Sequence, residues 1–347
     1  MLLGADSHVC LTAEKARRLP RWSYKQGDPS PTICLLLHEL QLYNSPRHAR
    51  RVHTTTMTDN SPYILNESTR NGIKQESGRL DFQHRFFDDV LENELLPPHI
   101  TNELAAHPSP RVCEVATGTG IWLKELAKTL PASAELVGLD FDVSKFPEPE
   151  SLPANIRLSF GDIYEPFPEE LQGRFDVVHL RHFILATKKD HGVPIARNLL
   201  SLLRPGGWLV WVEAGAPLLS AEPPSEALFQ FQKVYYNHVL RTNLEDNMPL
   251  GIASYMRQAG LIDCDAKSHN CATVLYGSKG HDWLAREHEE FYTTLSQIIK
   301  GILLKGGVEG MRTQQDFDEL QLKLGKDMSG TRKCHMPVVR TWGRKSW

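Results

Sequence analysis

Short apolar runs alternate with helical segments between residues 111 and 213, and this alternation constrains the fold more than any other feature. The runs predict strands at Arg111–Ala116, Glu135–Asp140, Ile156–Phe160, Phe175–Leu180 and Trp208–Glu213. Helices are predicted at Ile121–Thr129 and Pro194–Leu203. Strands joined by helical crossovers run parallel, and helices cover both faces of their sheet. The segment therefore predicts an α/β fold whose ligand binds at the carboxyl ends of the strands.

The first predicted strand runs directly into the turn Thr117-Gly118-Thr119-Gly120, which precedes a helix. Glycine permits a sharp turn and lets a ligand approach the main chain, whose N–H groups face outward at a helix N-terminus. A dinucleotide fingerprint would need a third glycine three residues after Gly120, where this chain has Leu123. No Tyr-x-x-x-Lys pair is recognisable either, so a nicotinamide oxidoreductase is disfavoured.

Three acidic residues lie at or just beyond the ends of the first three predicted strands. Glu114 lies in an apolar strand, where burial must be offset by donors such as a ligand ammonium or the N–H groups of its own loop. Asp140 follows about twenty residues later, where an acid accepts the hydroxyls of a ribose. Asp162 can accept from the exocyclic amine of adenine while Ile163 packs on the ring, although Gly-Asp alone is a common turn. Together they predict a pocket for a nucleoside that carries an amino acid.

Five motifs support a more specific interpretation. They are Glu76-Ser-Gly-Arg-Leu80 with Gln83-His84, Ala116-Thr-Gly-Thr-Gly-Ile-Trp122, Phe175-Asp-Val-Val-His-Leu-Arg181, Leu203-Arg-Pro-Gly-Gly-Trp-Leu209 and Pro337-Val-Val-Arg-Thr-Trp-Gly343. With these motifs the chain resembles the class I S-adenosylmethionine-dependent methyltransferases, and more narrowly the fungal branch of secondary metabolism that includes the LaeA-like proteins. The resemblance covers roughly residues 60–345.

The resemblance implies a Rossmann-like, seven-stranded, mostly parallel sheet with helices on both faces and an antiparallel C-terminal strand pair at Leu261–Ser268 and Met336–Gly343. It implies S-adenosyl-L-methionine as the cofactor. The implied cofactor-binding residues are Glu114, Thr117, Gly118 and Gly120 for the methionine end, Asp140 for the ribose, and Asp162 with Ile163 for the adenine. The family often has glycine where this chain has Ala116, which would place the loop slightly further from the cofactor.

Side chains that follow the fourth and fifth strands would point toward the transferred methyl group. His182 is the preferred general base, because histidine titrates near neutrality, with a substrate-shaping role as the alternative. Glu213 is either a base or a partner of Arg181, and Arg181 either binds an acidic substrate group or braces the N-terminal helix. Tyr235 and Tyr236 belong to an aromatic cluster that is typical of a core and would also suit a flat aromatic substrate.

Three segments are distinguished along the chain. Residues 1–56 hold twice as many basic as acidic residues and no clear periodicity, which predicts a disordered extension or an over-extended gene model. Residues 57–110 are predicted to form a helical cap, with an apolar stripe over 73–96 whose polar neighbours Arg79, Gln83 and His84 would close over the cofactor. Residues 111–347 form the methyltransferase domain, in which a helical insertion at 281–329 would wall the substrate pocket.

The amino-acid composition limits the kinds of partner that this chain is expected to bind. The chain has 39 lysines and arginines against 42 acidic residues, so no overall field attracts nucleic acid or an anionic membrane. No apolar run is long enough to cross a bilayer or to act as a secretory signal. The six cysteines are dispersed without zinc-site spacing, which predicts reduced thiols and no metal. We therefore expect a small-molecule substrate and a cytoplasmic enzyme, with the oligomeric state left open.

The expected function is methyl transfer to oxygen or nitrogen of a small-molecule secondary metabolite. The alternative is a LaeA-like regulatory protein that keeps the methyltransferase fold and acts through protein partners in the nucleus. The basic N-terminal segment favours this alternative weakly. The acceptor atom and the need for a general base do not follow from the sequence.

Overall fold

The computed structural model describes residues 70–215, 219–246, 248–272, 281–328 and 333–347, with side chains from residue 76 onward except at 281–291 and 328. The extension predicted for residues 1–56 lies outside the described residues. So does the part of the predicted cap that precedes residue 70. In the described part of the chain, no helix combines the length and the apolarity that a bilayer span requires.

Nine strands are described: β1 (Arg111–Val115), β2 (Glu135–Asp140), β3 (Ile156–Phe160), β4 (Phe175–Arg181), β5 (Leu203–Ala214), β6 (Ser220–Glu222), β7 (Ile262–Asn270), β8 (Lys333–His335) and β9 (Pro337–Arg344). Seven of them form one sheet in the order β3-β2-β1-β4-β5-β9-β7, and β6 pairs with β8 in a small second sheet. Strands β1 to β5 pair in parallel, whereas β9 is antiparallel to both β5 and β7. The predicted mostly parallel sheet with an antiparallel C-terminal pair is confirmed.

Helices cover both faces of this sheet. They are α1 (Arg70–Val90), α2 (Pro98–Ala106), α3 (Ile121–Ala127), α4 (Gly192–Leu202), α5 (Glu226–Thr242), α6 (Ile252–Ala259), α7 (His281–Leu304) and α8 (Gln314–Met328). One face packs residues such as Val112 and Val210 against α1, α2, α3, α5, α7 and α8, while the other packs Cys113 and Leu209 against α4 and α6. Because successive strand residues face opposite sides, strands buried on both faces are apolar throughout.

The helix predicted to reach Leu96 ends earlier, at Val90. Glu92 and Asn93 adopt left-handed backbone conformations, with φ of 64° and 60°, and this turn ends the helical hydrogen bonding. Pro98 then occupies the first position of α2, where its missing N–H has no intrahelical partner to lose. The two prolines therefore begin a second helix that the apolar stripe did not predict.

Candidate functional site

A cavity of about 520 Å³ opens at the carboxyl ends of β1 to β4, within the size range of small-molecule sites. Its walls come from the loops that follow these four strands and from helix α1. Five of the residues predicted to bind a cofactor line it: Thr117, Gly118, Asp140, Asp162 and Ile163. The topology therefore brings together side chains that are dispersed along the sequence.

The turn after β1 is shaped by two glycines. Gly118 and Gly120 have φ of 58° and 69°, a region that favours glycine. A Cβ atom on Gly120 would lie 3.1 Å from the side chain of Leu158, which is tighter than ordinary packing. Gly120 does not line the cavity but occupies the N-cap position of α3, so it shapes the turn rather than contacting a ligand.

Asp140 is held at the end of β2 by two main-chain donors. The N–H of Gly118 donates to its Oδ2 at 2.7 Å, and the N–H of Asp142 donates to its Oδ1 at 2.8 Å. Burial raises the pKa of this carboxyl above its ordinary value, while the two N–H groups lower it. A carboxylate oxygen can accept two hydrogen bonds. Each oxygen of Asp140 accepts one from these N–H groups, so each can still accept one from a ligand hydroxyl.

Ala116 departs from the glycine that the family often has, and its backbone is left-handed with φ of 54°. A left-handed alanine costs roughly 1–2 kcal/mol, whereas glycine loses about 0.4–1 kcal/mol more chain entropy on folding. We therefore expect Ala116→Gly to raise the free energy of unfolding by about 1 kcal/mol. Urea denaturation of both proteins checks this, and a destabilised variant would contradict it.

Glu114 lies behind the cavity wall, and its side chain has 0% exposure. The hydroxyl of Thr117 donates to it at 2.6 Å, and its Oε1 lies 3.2 Å from Nε of Arg181. Burial raises the pKa of Glu114 to about 7, although Arg181 and Thr117 lower it. Glu114 does not line the cavity, whereas Arg181 beside it does, so direct contact of Glu114 with the methionine end stays a prediction.

Arg181 links β4 to helix α1. Its Nη1 donates to Nδ1 of His84 at 2.7 Å, and its side chain also lines the cavity. The bracing of the N-terminal helix is thus observed, while binding of a substrate group stays a prediction. Gln83 and His84 line the cavity as predicted from the sequence, whereas Arg79 pairs with Glu76 at 2.7 Å instead.

His182 lines the cavity directly after β4, with a left-handed φ of 53°. Its ring lies 4.1 Å from the ring of Phe87, and its Nε2 is buried without a hydrogen-bond partner. Burial and the neighbouring charge of Arg181 hold the pKa of His182 well below its ordinary value. The imidazole is therefore neutral at physiological pH and can accept a hydrogen bond or a proton.

Glu213 does not line the cavity, and its hydrogen bonds come from Phe183, Ile184 and Trp211, so a role as a base or as a partner of Arg181 stays a prediction. Its side chain is fully buried and accepts from the main-chain N–H groups of Phe183 at 2.6 Å and Ile184 at 3.3 Å. The indole N–H of Trp211 donates to it at 2.9 Å. Glu213 thus anchors the loop that carries His182.

Burial raises the pKa of Glu213 from 4.5 to about 7, despite the three donors. When an acid has a higher pKa in the folded than in the unfolded protein, protonation favours the folded state. This stabilisation is complete below the unfolded pKa and is lost as the pH rises through the folded pKa. We expect the free energy of unfolding to fall by about 3 kcal/mol between pH of about 4.5 and 7 on this account. Urea denaturation across this range checks it, and an unchanged slope in Glu213→Gln would contradict it.

The aromatic cluster of α5 belongs to the core. Tyr235 is 2% exposed and stacks on Phe231, with ring centroids 6.2 Å apart. Neither Tyr235 nor Tyr236 lines the cavity, and contact of either residue with a substrate stays a prediction. No residue described in 281–328 lines it either, because α7 and α8 pack against α5 and against each other.

Several cavity residues were missed by the sequence analysis. They are Leu80, Phe141, Lys145, Tyr164, Phe183 and Lys188. Phe141, Tyr164 and Phe183 directly follow predicted site residues, so their positions at strand ends were a usable signal. The hydroxyl of Tyr164 donates to the carbonyl of Ala186 at 2.5 Å and joins the loops after β3 and β4. Within the described ranges, no group of three His, Cys, Asp or Glu residues is placed to hold a metal.

The donors and acceptors of the cavity fit a nucleoside with an amino-acid chain. Asp140 has free acceptor capacity, and Asp162 with Ile163 forms an adjacent polar and apolar pair. The absence of a Cβ at Gly118 leaves space beside the turn, because a Cβ there would lie 3.3 Å from Leu80. Together with the strand order, this arrangement defines an α/β protein that binds a nucleoside cofactor at the ends of β1 to β4.

A family model described as "Methyltransferase domain" matches residues 83–261, about half of the chain. The chain belongs to this family, and the prediction of an S-adenosylmethionine-dependent enzyme is confirmed.

Several of the known proteins to which this chain is similar come from fungi. The N-methyltransferase tcpN of Claviceps purpurea is 25% identical over 267 residues, which are 76% of this chain and 92% of that protein. The methyltransferase grgD of a Penicillium species is 32% identical over 182 residues, 50% of this chain and 62% of that protein. The secondary metabolism regulator LAE1 of Hypocrea atroviridis is 26% identical over 259 residues, 72% of this chain and 68% of that protein.

Among solved structures, phosphoethanolamine N-methyltransferase 2 of Haemonchus contortus in complex with S-adenosyl-L-methionine aligns with a TM-score of 0.41 and 15% identity. The alignment covers 72% of this chain and 52% of that one.

Proposed function

We propose that this chain transfers the methyl group of S-adenosylmethionine to an oxygen or nitrogen atom of a small-molecule secondary metabolite. One observation carries the proposal: His182, neutral and with an unpartnered ring nitrogen, lies in the same cavity as Asp140 and the turn at Gly118. The methyltransferase relatives support the reaction, and the similarity to a secondary metabolism regulator supports the link to secondary metabolism. A cytoplasmic location belongs to the same proposal.

The cofactor supplies an electrophilic methyl group on a sulfonium. Asp140 would accept the ribose hydroxyls, and Asp162 with Ile163 would hold the adenine. The main-chain N–H groups and hydroxyl of the turn at Thr117 and Gly118 would border the amino-acid end. Methyl transfer is an in-line displacement, so fixing the cofactor in this way accounts for much of the rate acceleration.

His182 would act on the acceptor. As a neutral imidazole at the end of β4, it accepts the proton that an O–H or N–H acceptor loses on methylation. Glu213 holds the loop of His182 through the N–H groups of Phe183 and Ile184 and so fixes its position. The left-handed backbone of His182 is kept in place by the same contacts and by the hydrogen bond from its N–H to the carbonyl of Val212 at 3.0 Å.

Mass spectrometry of metabolites from cells with and without the gene tests the proposal. We expect one compound that lacks a methyl group to accumulate without the gene. The purified protein should then methylate this compound when S-adenosylmethionine is added. A metabolite profile in which nothing accumulates unmethylated, or a purified protein that leaves the accumulated compound unchanged, would contradict it.

A regulatory role is the second candidate, and the similarity to LAE1 over 72% of the chain favours it. Such a protein would act through protein partners in the nucleus. Restoring the gene as the Asp140→Ala variant separates the two candidates. If a protein that no longer binds the cofactor restores the metabolite profile, the chain acts through partners. If the profile stays altered, methyl transfer is required.

A further inference from the structure

The charges that line the cavity are unevenly distributed. The carboxylates among the described lining residues are Asp140, Asp142, Asp162 and Glu165, which all follow β2 or β3. Two lining cations lie in the same half: Nζ of Lys145 is 3.3 Å from Asp142, and Nζ of Lys188 lies 4.9 Å above the ring of Tyr164. Among the described lining residues, Arg181 is the cation at the other half of the cavity, where β1, β4 and helix α1 meet.

The guanidinium of Arg181 is fixed from behind and partly open toward the cavity. Its Nε lies 3.2 Å from Glu114, its Nη1 donates to His84 at 2.7 Å, and its side chain remains 14% exposed. A guanidinium has five N–H donors in a planar fork, and these contacts use only part of them. The remaining donors are available to an anionic ligand group, and paired donation to a carboxylate is the geometry that a guanidinium favours.

The cofactor has one anionic group, the α-carboxylate of its methionine part. The half of the cavity that holds four carboxylates would repel it, and so would Glu114 if it were exposed. We propose that Arg181 binds the α-carboxylate of the cofactor, and that Glu114 and His84 hold Arg181 in place for this task. The proposal rests on the proposed function, because it concerns the same cofactor, and it gives Arg181 a role different from binding the acceptor.

His84 and Glu114 are suited to positioning. Burial and the charge of Arg181 lower the pKa of His84 to about 3, so its ring is neutral and Nδ1 can accept the Arg181 hydrogen bond. That bond leaves the ring proton on Nε2. The carboxyl of Glu114 is fully buried against Arg181, and its ionised form offsets the cost of holding a guanidinium away from water.

Calorimetry with two ligands tests the proposal. Wild-type protein should bind S-adenosylhomocysteine about 10- to 100-fold more tightly than its decarboxylated analogue, which keeps the nucleoside and the ammonium group. In Arg181→Met this preference should vanish, because affinity for S-adenosylhomocysteine falls while affinity for the analogue is retained. Arg197→Met removes an exposed arginine of α4 and should keep the wild-type preference.

The single variant leaves Glu114 buried without its cation and can lose its fold. The double variant E114Q/R181M removes both charges and keeps the comparison measurable; it should also bind the two ligands alike. A preference for the carboxylate form that persists in a folded variant would overturn the role of Arg181. Failure of the wild-type protein to bind S-adenosylhomocysteine at all would instead count against the proposed function.

Discussion

Replacing Asp140 by alanine is expected to abolish binding of S-adenosylhomocysteine. The ribose would lose a charged acceptor for both hydroxyls, each worth about 1.5–3 kcal/mol, which together correspond to a loss of affinity of more than about 100-fold. The N–H of Gly118 would also lose its partner at 2.7 Å, so the turn beside the cofactor would become less ordered. Isothermal titration calorimetry of the purified variant measures the effect.

Asp318→Ala is the matched control, because it removes an exposed acid of α8 that accepts a hydrogen bond from Gln314 of the same helix. Its affinity should equal that of the wild-type protein. Thermal denaturation distinguishes lost binding from lost folding in the Asp140 variant. Unchanged affinity in a folded Asp140→Ala protein would exclude Asp140 as the ribose acceptor.

Replacing His182 by alanine is expected to lower kcat by about 10²- to 10⁴-fold, the usual contribution of general acid–base catalysis. Affinity for S-adenosylhomocysteine should change little, because the nucleoside is held at the other end of the cavity. The measurement is methyl transfer to the compound that accumulates in cells without the gene, together with calorimetry on the same preparation.

His107→Ala is the control for this variant, since His107 lies at the end of α2, away from the residues that line the cavity. A pH profile separates the two roles of His182. A base produces a rate that rises with pH through its own pKa, here at acid pH because the pKa of His182 lies well below its ordinary value, and this dependence should disappear in the variant. A folded His182→Ala protein with an unaltered kcat would show that the acceptor needs no base from this residue.

The sequence predicted the sheet well because parallel strands buried on both faces are continuous apolar runs. Strands β2 and β3 lie at the predicted bounds, Glu135–Asp140 and Ile156–Phe160. The site residues at their ends followed from the same logic, since carboxyl ends of parallel strands meet at one edge. The positions of Asp140 and Asp162 at the cavity could therefore be predicted from the strand order alone.

The sequence did not reveal the direction of several side chains, because that direction depends on register and packing. Glu114 lies opposite His179 in the pairing of β1 with β4, so both side chains point into the same covered face. That register was not readable from either strand alone. The contacts of Glu213 were unreadable for a similar reason, because the loop N–H groups that it binds follow a neighbouring strand. Tyr235 lies on the buried face of α5, in the same core cluster as residues of β5, α7 and α8.

Helix α1 supplies Leu80, Gln83 and His84 to the cavity although it lies outside the sheet. Substitutions on the inner face of this one 21-residue segment can therefore remodel the ligand site while every strand keeps its neighbours. The sheet is constrained by packing on both sides, whereas the helix contributes only one wall. Because this wall includes His84, which hydrogen-bonds Arg181, changes in α1 should alter affinity for the cofactor while the sheet stays intact.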